Sequence, residues 1–580
     1  MTTGGDLVAR MLAAEGVSVV FGIIDGSYFG LYSALREHGI RLISPRHETC
    51  AVHMAGAYAR MTGKLGVCVA SNGPGVANAL PGVAVENAEG NRVLLITSTR
   101  RSAIVHPDRG GTFQYFDQVA VTKPMAKWSA LVPSHDRIPE LMRRAFRLSF
   151  MRRPGVVHVD VPEDIVNGKT SAVTLLPPER YRATSVLHSS HEQVKRAAEM
   201  LLSAHGPMIH AGSGVVHAQA FAQLQQLCEL LVAPVTTSWG GRGAISERSK
   251  LAVPMPYVEL NNQLRNAADV VLILGSRVGE TDWWGKPPYW RSPSEQRAIQ
   301  VDIDEEVLGL NKPIDLAVHA DIGDFLDALL IELQTRDTRG RAESRRGTVA
   351  DLDARKRAAR AELDKALTSG GSPVHPAFVA TTCQRVFADD AVLVVDGGNT
   401  VIWANFYHEA RTPNSLLTTF KFGMLGAGVS QALGVKVARP DHQVYCIIGD
   451  GAMGFHSQEI ETAVRNGLAV TYIVMCDRQW GMVKMNQQFA LKPIKTLIRK
   501  SLGPGETINA DLGEIRFDRL AEAMGAHGER VSSHAELEPA LRRCLAADRP
   551  AVVHVDVDPV KHMWAPKLKV FKDMHAEPAG

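Results

Sequence analysis

The strongest constraint on the fold is an alternation that runs through most of the chain: short apolar stretches ending in glycine-rich turns, each followed by residues with helical periodicity. Strand-like runs lie at 17–24, 41–44, 66–71, 93–97 and 156–161, then at 208–211, 235–238, 270–275 and 298–302. They resume at 391–395, 444–448, 470–476 and 551–557, with amphipathic stretches such as 52–61 between strands. This is the pattern of parallel βαβ units. The fold class is therefore α/β, and sandwiches and helix bundles are excluded. The pattern loosens in a proline-containing stretch at 162–182 and in a highly charged, partly helical connector at 334–371. These breaks predict three doubly wound parallel-sheet domains, 1–175, 190–335 and 365–560, and a tail at 561–580. No short repeat is visible, which excludes solenoids.

At about 100 to 200 residues per domain, the chain's 580 residues leave room for three such units, and 45% hydrophobic content is what packed cores require. Lys and Arg exceed Asp and Glu by 64 − 61 = +3 with no long basic stripe, so no nucleic-acid partner is expected. The seven cysteines are scattered in mostly apolar strings without a Cys-x-x-Cys pair, and they read as reduced core thiols of a cytoplasmic protein. The first residues lack the layout of a signal peptide, and no stretch approaches the ~18 to 20 apolar residues that span a bilayer. No membrane partner is expected.

Parallel sheets bind ligands at the carboxyl ends of their strands, so chemistry is sought in the turns that follow them. The run at 444–448 leads directly into Gly449-Asp450-Gly451, and a helix is expected at 455–466. Two glycines let backbone approach an anion, and Asp450 offers a hard oxygen to Mg²⁺. Asp477, in Cys476-Asp477-Arg478-Gln479-Trp480-Gly481, ends the next strand, where it could share that cation. The run at 41–44 ends at Pro45-Arg46-His47-Glu48, with a helix starting at Thr49. Glu48 is expected to be buried among apolar helix residues, raising its pKa, or else to serve as a first-turn glutamate. His47 reads as a structural hydrogen-bonder. Turns at Asp25-Gly26 and at Asn72-Gly73-Pro74-Gly75 could shape a pocket floor.

Phe21-Gly22 with Asp25-Gly26, Arg46-His47-Glu48 with the Ala55-Gly56-Ala57-Tyr58-Ala59-Arg60 run, and Asn72-Gly73-Pro74-Gly75 occur in that order. Gly111-Thr112-Phe113-Gln114, Gly423-Met424-Leu425-Gly426, Gly449-Asp450-Gly451 and Trp480-Gly481-Met482-Val483 continue the series. On these runs the chain resembles, over nearly its full length, the thiamine diphosphate-dependent 2-oxoacid decarboxylase and carboligase family, in its acetolactate synthase-like branch. The resemblance implies pyrimidine-binding, middle and diphosphate-binding domains, with thiamine diphosphate and Mg²⁺ as cofactors. It implies that Glu48 bonds the aminopyrimidine, and it puts Gln114 and Gly26 at the catalytic centre, with Phe113 and Lys123 as pocket residues. Leu425 becomes the wedge that bends the cofactor, and the Gly423 carbonyl accepts from its amino group. Asn399, Thr400, Gly449, Gly451, Ala452 and Met482 become cofactor-binding positions, and Asp450, Asp477 and Gln479 the metal ligands. The implied partners are a small 2-oxoacid or an acyl-CoA substrate and a second copy of the chain, in a homodimer or homotetramer with sites between subunits.

The match has departures. The family usually carries two asparagines where this chain has Cys476-Asp477, which adds a negative charge. The arginine and tryptophan that choose the acceptor in true acetohydroxyacid synthases are here Thr281 and Asn486, so a different acceptor pocket is expected. No histidine pair precedes Gly111, which weakens a pyruvate decarboxylase reading. Gly212-Ser213-Gly214 follows a strand, but His217 occupies the third position of the dinucleotide fingerprint, so FAD or ADP in the middle domain is an open alternative and not the expectation. The segment 284–289, with Asp302 and Asp304 beyond it, is similar to the middle domain of 2-hydroxyacyl-CoA and oxalyl-CoA lyases, the rival enzyme reading. Its aromatics, Trp283, Trp284, Tyr289 and Trp290, equally fit a plug between domains. A non-catalytic paralogue acting as a binding subunit is the third alternative, disfavoured by retention of Glu48 and both metal carboxylates.

Overall fold

The structure, a computed structural model, describes residues 2–574 except 106, 107, 171, 172, 369 and 420. The N-terminal unit begins with β1 (Thr2–Thr3) and holds β2 (Val19–Gly22), β3 (Arg41–Ile43), β4 (Gly66–Ala70), β5 (Val93–Thr99), β6 (Trp128–Leu131) and β7 (Val156–Pro162). It closes with β8 (Lys169–Thr170), paired antiparallel to β1. The middle unit holds β9 (Pro207–Ala211), β10 (Val235–Thr237), β11 (Ala252–Val253), β12 (Val270–Leu274), β13 (Arg297–Asp302) and β14 (Leu316–His319). The C-terminal unit holds β15 (Val392–Asp396), β16 (Leu416–Thr418), β17 (Val444–Gly449), β18 (Val470–Cys476), β19 (His527–Val531) and β20 (Ala551–Asp556).

Each unit is a six-stranded parallel sheet flanked by helices, in the orders β3-β2-β4-β5-β7-β6, β11-β10-β9-β12-β13-β14 and β16-β15-β17-β18-β20-β19. The first and third orders are the same. The middle one is the other doubly wound order, reversing direction between its first and fourth strands. Central strands such as Val470–Cys476 are buried at every position, as strands covered on both faces must be.

The first and third units share one hydrophobic core, in which Val52, Met54 and Val83 join Val429, Leu433 and Ile448. Its seam is the packing of the Glu48–Thr62 helix on the Ala427–Ala438 helix. The Ala-Gly-rich composition explains the closeness: a β-carbon on Gly434 would overlap the Met54 carbonyl, and one on Gly56 would overlap the Glu86 carboxylate. Glu86 is fully buried between His53 Nδ1 (2.7 Å) and Gln431 Nε2 (3.1 Å), so a charged crosslink also spans the seam.

The connector is more helical than its charge predicts, running as Arg339–Asp364. Buried Arg345 anchors it by donating to the carbonyls of Leu231 (2.8 Å), Leu201 (3.2 Å) and Ala204 (2.6 Å), which end two middle-unit helices. Trp283 is buried in the core of the C-terminal unit and stacks on Tyr289 at 4.5 Å, while Trp290 is buried within the middle unit. The aromatic cluster thus plugs the junction of these units. The helix expected at 455–466 is two helices, Asp450–His456 and Glu459–Asn466, because the chain turns helical directly after Gly449. In the tail, helices Pro559–Met563 and Leu568–Met574 follow β20, and 575–580 lie outside the described residues. All seven cysteines are buried free thiols, and no helix among the described residues is long and apolar enough to cross a membrane.

Candidate active site

The carboxyl ends of β15, β17 and β18 converge on one cluster. Asp450 opens its helix with Gly449 as the cap residue. Its Oδ1 accepts from the Gly451 amide and its Oδ2 from the Arg478 amide, both at 2.8 Å. Asp477, directly after β18, is also buried; its Oδ1 accepts from the Gln479 amide at 3.3 Å and its Oδ2 from Gln479 Nε2 at 3.2 Å. Burial first, and then the neighbouring Asp477 charge, push the Asp450 carboxyl up to about 7. A buried acid held up by its burial and by a neighbouring carboxylate is stabilised in its ionised form by a cation shared with that neighbour.

Asn399 begins the Asn399–Tyr407 helix after β15, and its buried amide has neither Oδ1 nor Nδ2 hydrogen-bonded. Such an orphan marks a place for a ligand. The glycines keep that place open: a β-carbon on Gly481 would lie 2.6 Å from Asn399 Nδ2, one on Gly449 3.0 Å from Thr400 Oγ1, and one on Gly398 3.4 Å from the Met482 side chain. Asn399, Thr400, Gly449, Asp450, Gly451, Asp477, Gln479 and Met482 are therefore brought together, with Ala452 buried behind them. Paired carboxylates, an unpartnered amide and helix N-termini are a donor set that fits a diphosphate and its divalent cation. The Gly423-Met424-Leu425 loop adjoins this cluster. Gly423 (φ +68°) and Gly426 (φ +90°) take the left-handed turns glycine permits, Gly426 packs under Phe455, and half-buried Leu425 leans on the shared core.

The N-terminal unit gathers a second group at its own strand ends. After β2, Asp25 Oδ1 accepts from the amide and hydroxyl of Ser27, both at 2.6 Å, and Gly26 is exposed with open space beside it. After β4, Asn72 Nδ2 donates to the Gln114 carbonyl at 2.9 Å, holding Gln114 in a left-handed turn (φ +53°) with its side chain outward. Phe113 beside it is 72% exposed. Glu48 is the first residue of its helix, and Asn78 Nδ2 donates to its Oε2 at 3.1 Å. Within the single chain Glu48 is half-buried. His47 caps that helix by accepting from the Thr49 amide at 3.2 Å, a structural task. Lys123 and Asn486 are exposed and Thr281 is half-buried.

His562 was not legible as a site residue. It lies in the short helix after β20, with its ring 2.6 Å from Asp477 Oδ2 and 3.1 Å from Thr400 Oγ1. Applying the strand-end rule to β20 as well as to β17 and β18 would have pointed to it. In the middle unit, Gly212 is required for packing, since a β-carbon there would overlap the Gly275 carbonyl, and half-buried His217 closes a five-residue helix.

Three domain families match in chain order: the N-terminal TPP binding domain of thiamine pyrophosphate enzymes at residues 2–121, their central domain at 194–329, and their C-terminal TPP binding domain at 396–555. The chain belongs to the thiamine pyrophosphate enzyme family. Within it the chain is acetolactate synthase-like, a thiamine diphosphate-dependent enzyme. It is 31% identical to the acetolactate synthase large subunit IlvG of Mycobacterium tuberculosis over 567 residues, 96% of each chain. It is 29% identical to the acetolactate synthase isozyme 3 large subunit of Escherichia coli, covering 98% of this chain and 97% of that one. With a probable acetolactate synthase large subunit of Methanococcus aeolicus the identity is 27%, over 96% and 92%.

Proposed function

We propose that this enzyme decarboxylates a small, pyruvate-like 2-oxoacid and joins the resulting acyl unit to an acceptor, using Mg²⁺ beside the diphosphate. The observation that carries this reading is the pairing of two buried carboxylates, Asp450 and Asp477, with the orphaned amide of Asn399 at neighbouring strand ends. Asp450, Asp477 and the main-chain oxygen of Gln479 hold the cation, while Asn399, Thr400, Gly451 and Ala452 face the diphosphate. Gly423, Leu425 and Met482 back the organic part of the cofactor. Thiamine diphosphate, when bound, supplies the electron sink for breaking and making the carbon–carbon bond. Glu48 shares a proton with the aminopyrimidine, and Gly26 and Gln114, with Phe113 and Lys123, line the substrate side. Domain limits of 1–175, 190–335 and 365–560 follow from the same reading.

The functional unit is a dimer with Glu48 of one subunit facing the diphosphate cluster of the other. Support comes from exposed apolar side chains beside both half-sites: Ile24, Phe29 and Phe113 in the N-terminal unit, and Val483, Ile494 and Ile498 in the C-terminal unit. Proton NMR of the protein with thiamine diphosphate, Mg²⁺ and pyruvate tests the chemistry. Acetolactate, acetoin or acetaldehyde is expected, and a bound cofactor with untouched pyruvate would reject this donor class.

One observation favours the acyl-CoA variant. Asp302 at the end of β13 is pushed up to about 6, chiefly by burial, against the Asp304 amide and the guanidinium charges of Arg153 and Arg277. A buried strand-end acid with Asp304 and two arginines in its field offers an acceptor for a ribose hydroxyl and cations for phosphates. Calorimetric binding of CoA or ADP that disappears in Asp302→Ala would support that variant, and no binding to the intact chain would remove it.

A further inference from the structure

We propose that His562 is a positioning residue of the cofactor site, which fixes the metal carboxylate Asp477 and the diphosphate-facing hydroxyl of Thr400 relative to each other. This rests on the roles given above to Asp477 and Thr400. His562 lies beyond the matched C-terminal domain, which ends at 555. It occupies the Pro559–Met563 helix, started by Asp558, whose side chain accepts from the amides of Val560 and Lys561, each at 3.0 Å. The residue is 4% exposed, and both ring nitrogens are engaged: Nδ1 at 2.6 Å from Asp477 Oδ2, and Nε2 at 3.1 Å from Thr400 Oγ1.

A carboxylate only accepts, so Nδ1 carries the hydrogen of that short bond. The segment is held from three further sides. Trp403 Nε1 donates to the His562 carbonyl (2.8 Å), Gln479 Nε2 to the Pro559 carbonyl (2.8 Å), and Gln488 Nε2 meets Met563 Sδ (2.9 Å). Asp477 Oδ2 is thereby committed to His562 and to Gln479 Nε2. That leaves Oδ1, held by a long 3.3 Å bond from the Gln479 amide, to face a cation.

The pairing explains the departure from the family's usual asparagine at 477. An asparagine has one oxygen; if it ligates the cation, its NH₂ group points at the imidazole, which must change tautomer to accept at Nδ1 and donate from Nε2 to Thr400 Oγ1, so a neutral bond replaces a charge-assisted one. A carboxylate satisfies both sides, accepting the imidazole hydrogen at one oxygen and offering the other to the cation. Asp477 and His562 are therefore a matched pair, in the manner of outer partners that orient metal ligands.

The test measures Mg²⁺-dependent thiamine diphosphate binding by calorimetry on the full chain, with apoprotein melting as a fold control. His562→Ala is expected to weaken binding about 10- to 100-fold while the apoprotein still melts cooperatively. His562→Gln, which keeps an N–H donor, should retain more affinity. In an Asp477→Asn background the His562→Ala penalty should shrink several-fold, since the charge-assisted bond it removes has already been replaced by a weaker neutral one. An unchanged dissociation constant in His562→Ala, or an equal penalty in both backgrounds, would overturn the proposal. Should His562→Ala fail to fold, His562→Gln carries the same cycle: a penalty that persists undiminished in Asp477→Asn overturns it. A wild-type chain that bound no cofactor would instead overturn the active-site reading beneath it.

Discussion

The N-terminal and C-terminal sheets have the same strand order, yet their carboxyl ends carry different chemistry. In both, the connections change direction between the second and third strands of the order, β2 and β4 in one and β15 and β17 in the other. Both groups of site residues lie at that crevice, Gly26 with Asn72 in the first and Asn399 with Asp450 in the second, as open α/β sheets dictate. The N-terminal sheet does hold a fully buried acid. Asp160 accepts from Thr97 Oγ1 (2.6 Å) and Gln118 Nε2 (2.9 Å), and the Asp117 charge acts on it less than burial does. The C-terminal sheet sets Asp450 against Asp477. One frame supports two outcomes: a lone acid kept neutral by burial, against the pull of its two donors, and an acid pair suited to a metal. Function resides in what the strand ends carry, not in the sheet.

Substitutions in the two halves should fail in different ways. Asp450→Ala is expected to abolish retention of thiamine diphosphate and Mg²⁺, read by calorimetry; wild-type affinity would refute the metal clamp. Glu48→Gln should bind both cofactors normally and lose turnover by about 10² to 10⁴-fold, read in steady-state kinetics, and unchanged turnover would remove Glu48 from the chemistry. Co-expressing the two variants sharpens the contrast. If each site takes its glutamate from one subunit and its acids from the other, a mixed dimer regains one intact site and about half of wild-type activity per dimer. Sites made within a single chain would give no recovery.

The apolar alternation revealed thirteen strands and missed seven: β1, β6, β8, β11, β14, β16 and β19. Each is at the edge of its sheet. Some edge strands are covered less and need no continuous apolar run: β19 is His-Gly-Glu-Arg-Val, and β6 is half-buried throughout; β11 and β16 are buried but only two and three residues long, too short for a pattern. The glycine turns after central strands placed Asp450 and Asp477 correctly, because the need for close backbone approach is written in residue type. The half-burial of Glu48 within the single chain and the arrival of His562 were not legible. Both depend on how distant segments close over a strand end, and neither leaves a periodicity in the chain.

The seam between the two similar units gives a smaller effect. Gly434→Ala would put a methyl group into the Met54 carbonyl, forcing apart the helices that join the two half-sites. Overpacking of this kind costs about 1 to 3 kcal/mol, so the apoprotein should melt earlier while Glu48 and Asp450 keep their local contacts. An unchanged melting temperature would mean that the two helices do not meet as closely as the structure shows.

The last contrast concerns the neutral acid itself. Burial pushes the Asp160 carboxyl from 3.8 up to about 8, only partly countered by Thr97 and Gln118. Between these values the unfolded chain has released this proton while the folded chain keeps it, so the group's contribution to stability falls as pH rises from about 4 to about 8 and then levels off. Asp160→Asn keeps an oxygen for both donors and removes the titration. The melting-temperature difference, variant minus wild type, should therefore grow with pH across that window, measured without cofactor. A difference that stays constant would mean that Asp160 is ionised in the fold, and the contrast between a neutral acid in one sheet and a cation-seeking pair in the other would fail.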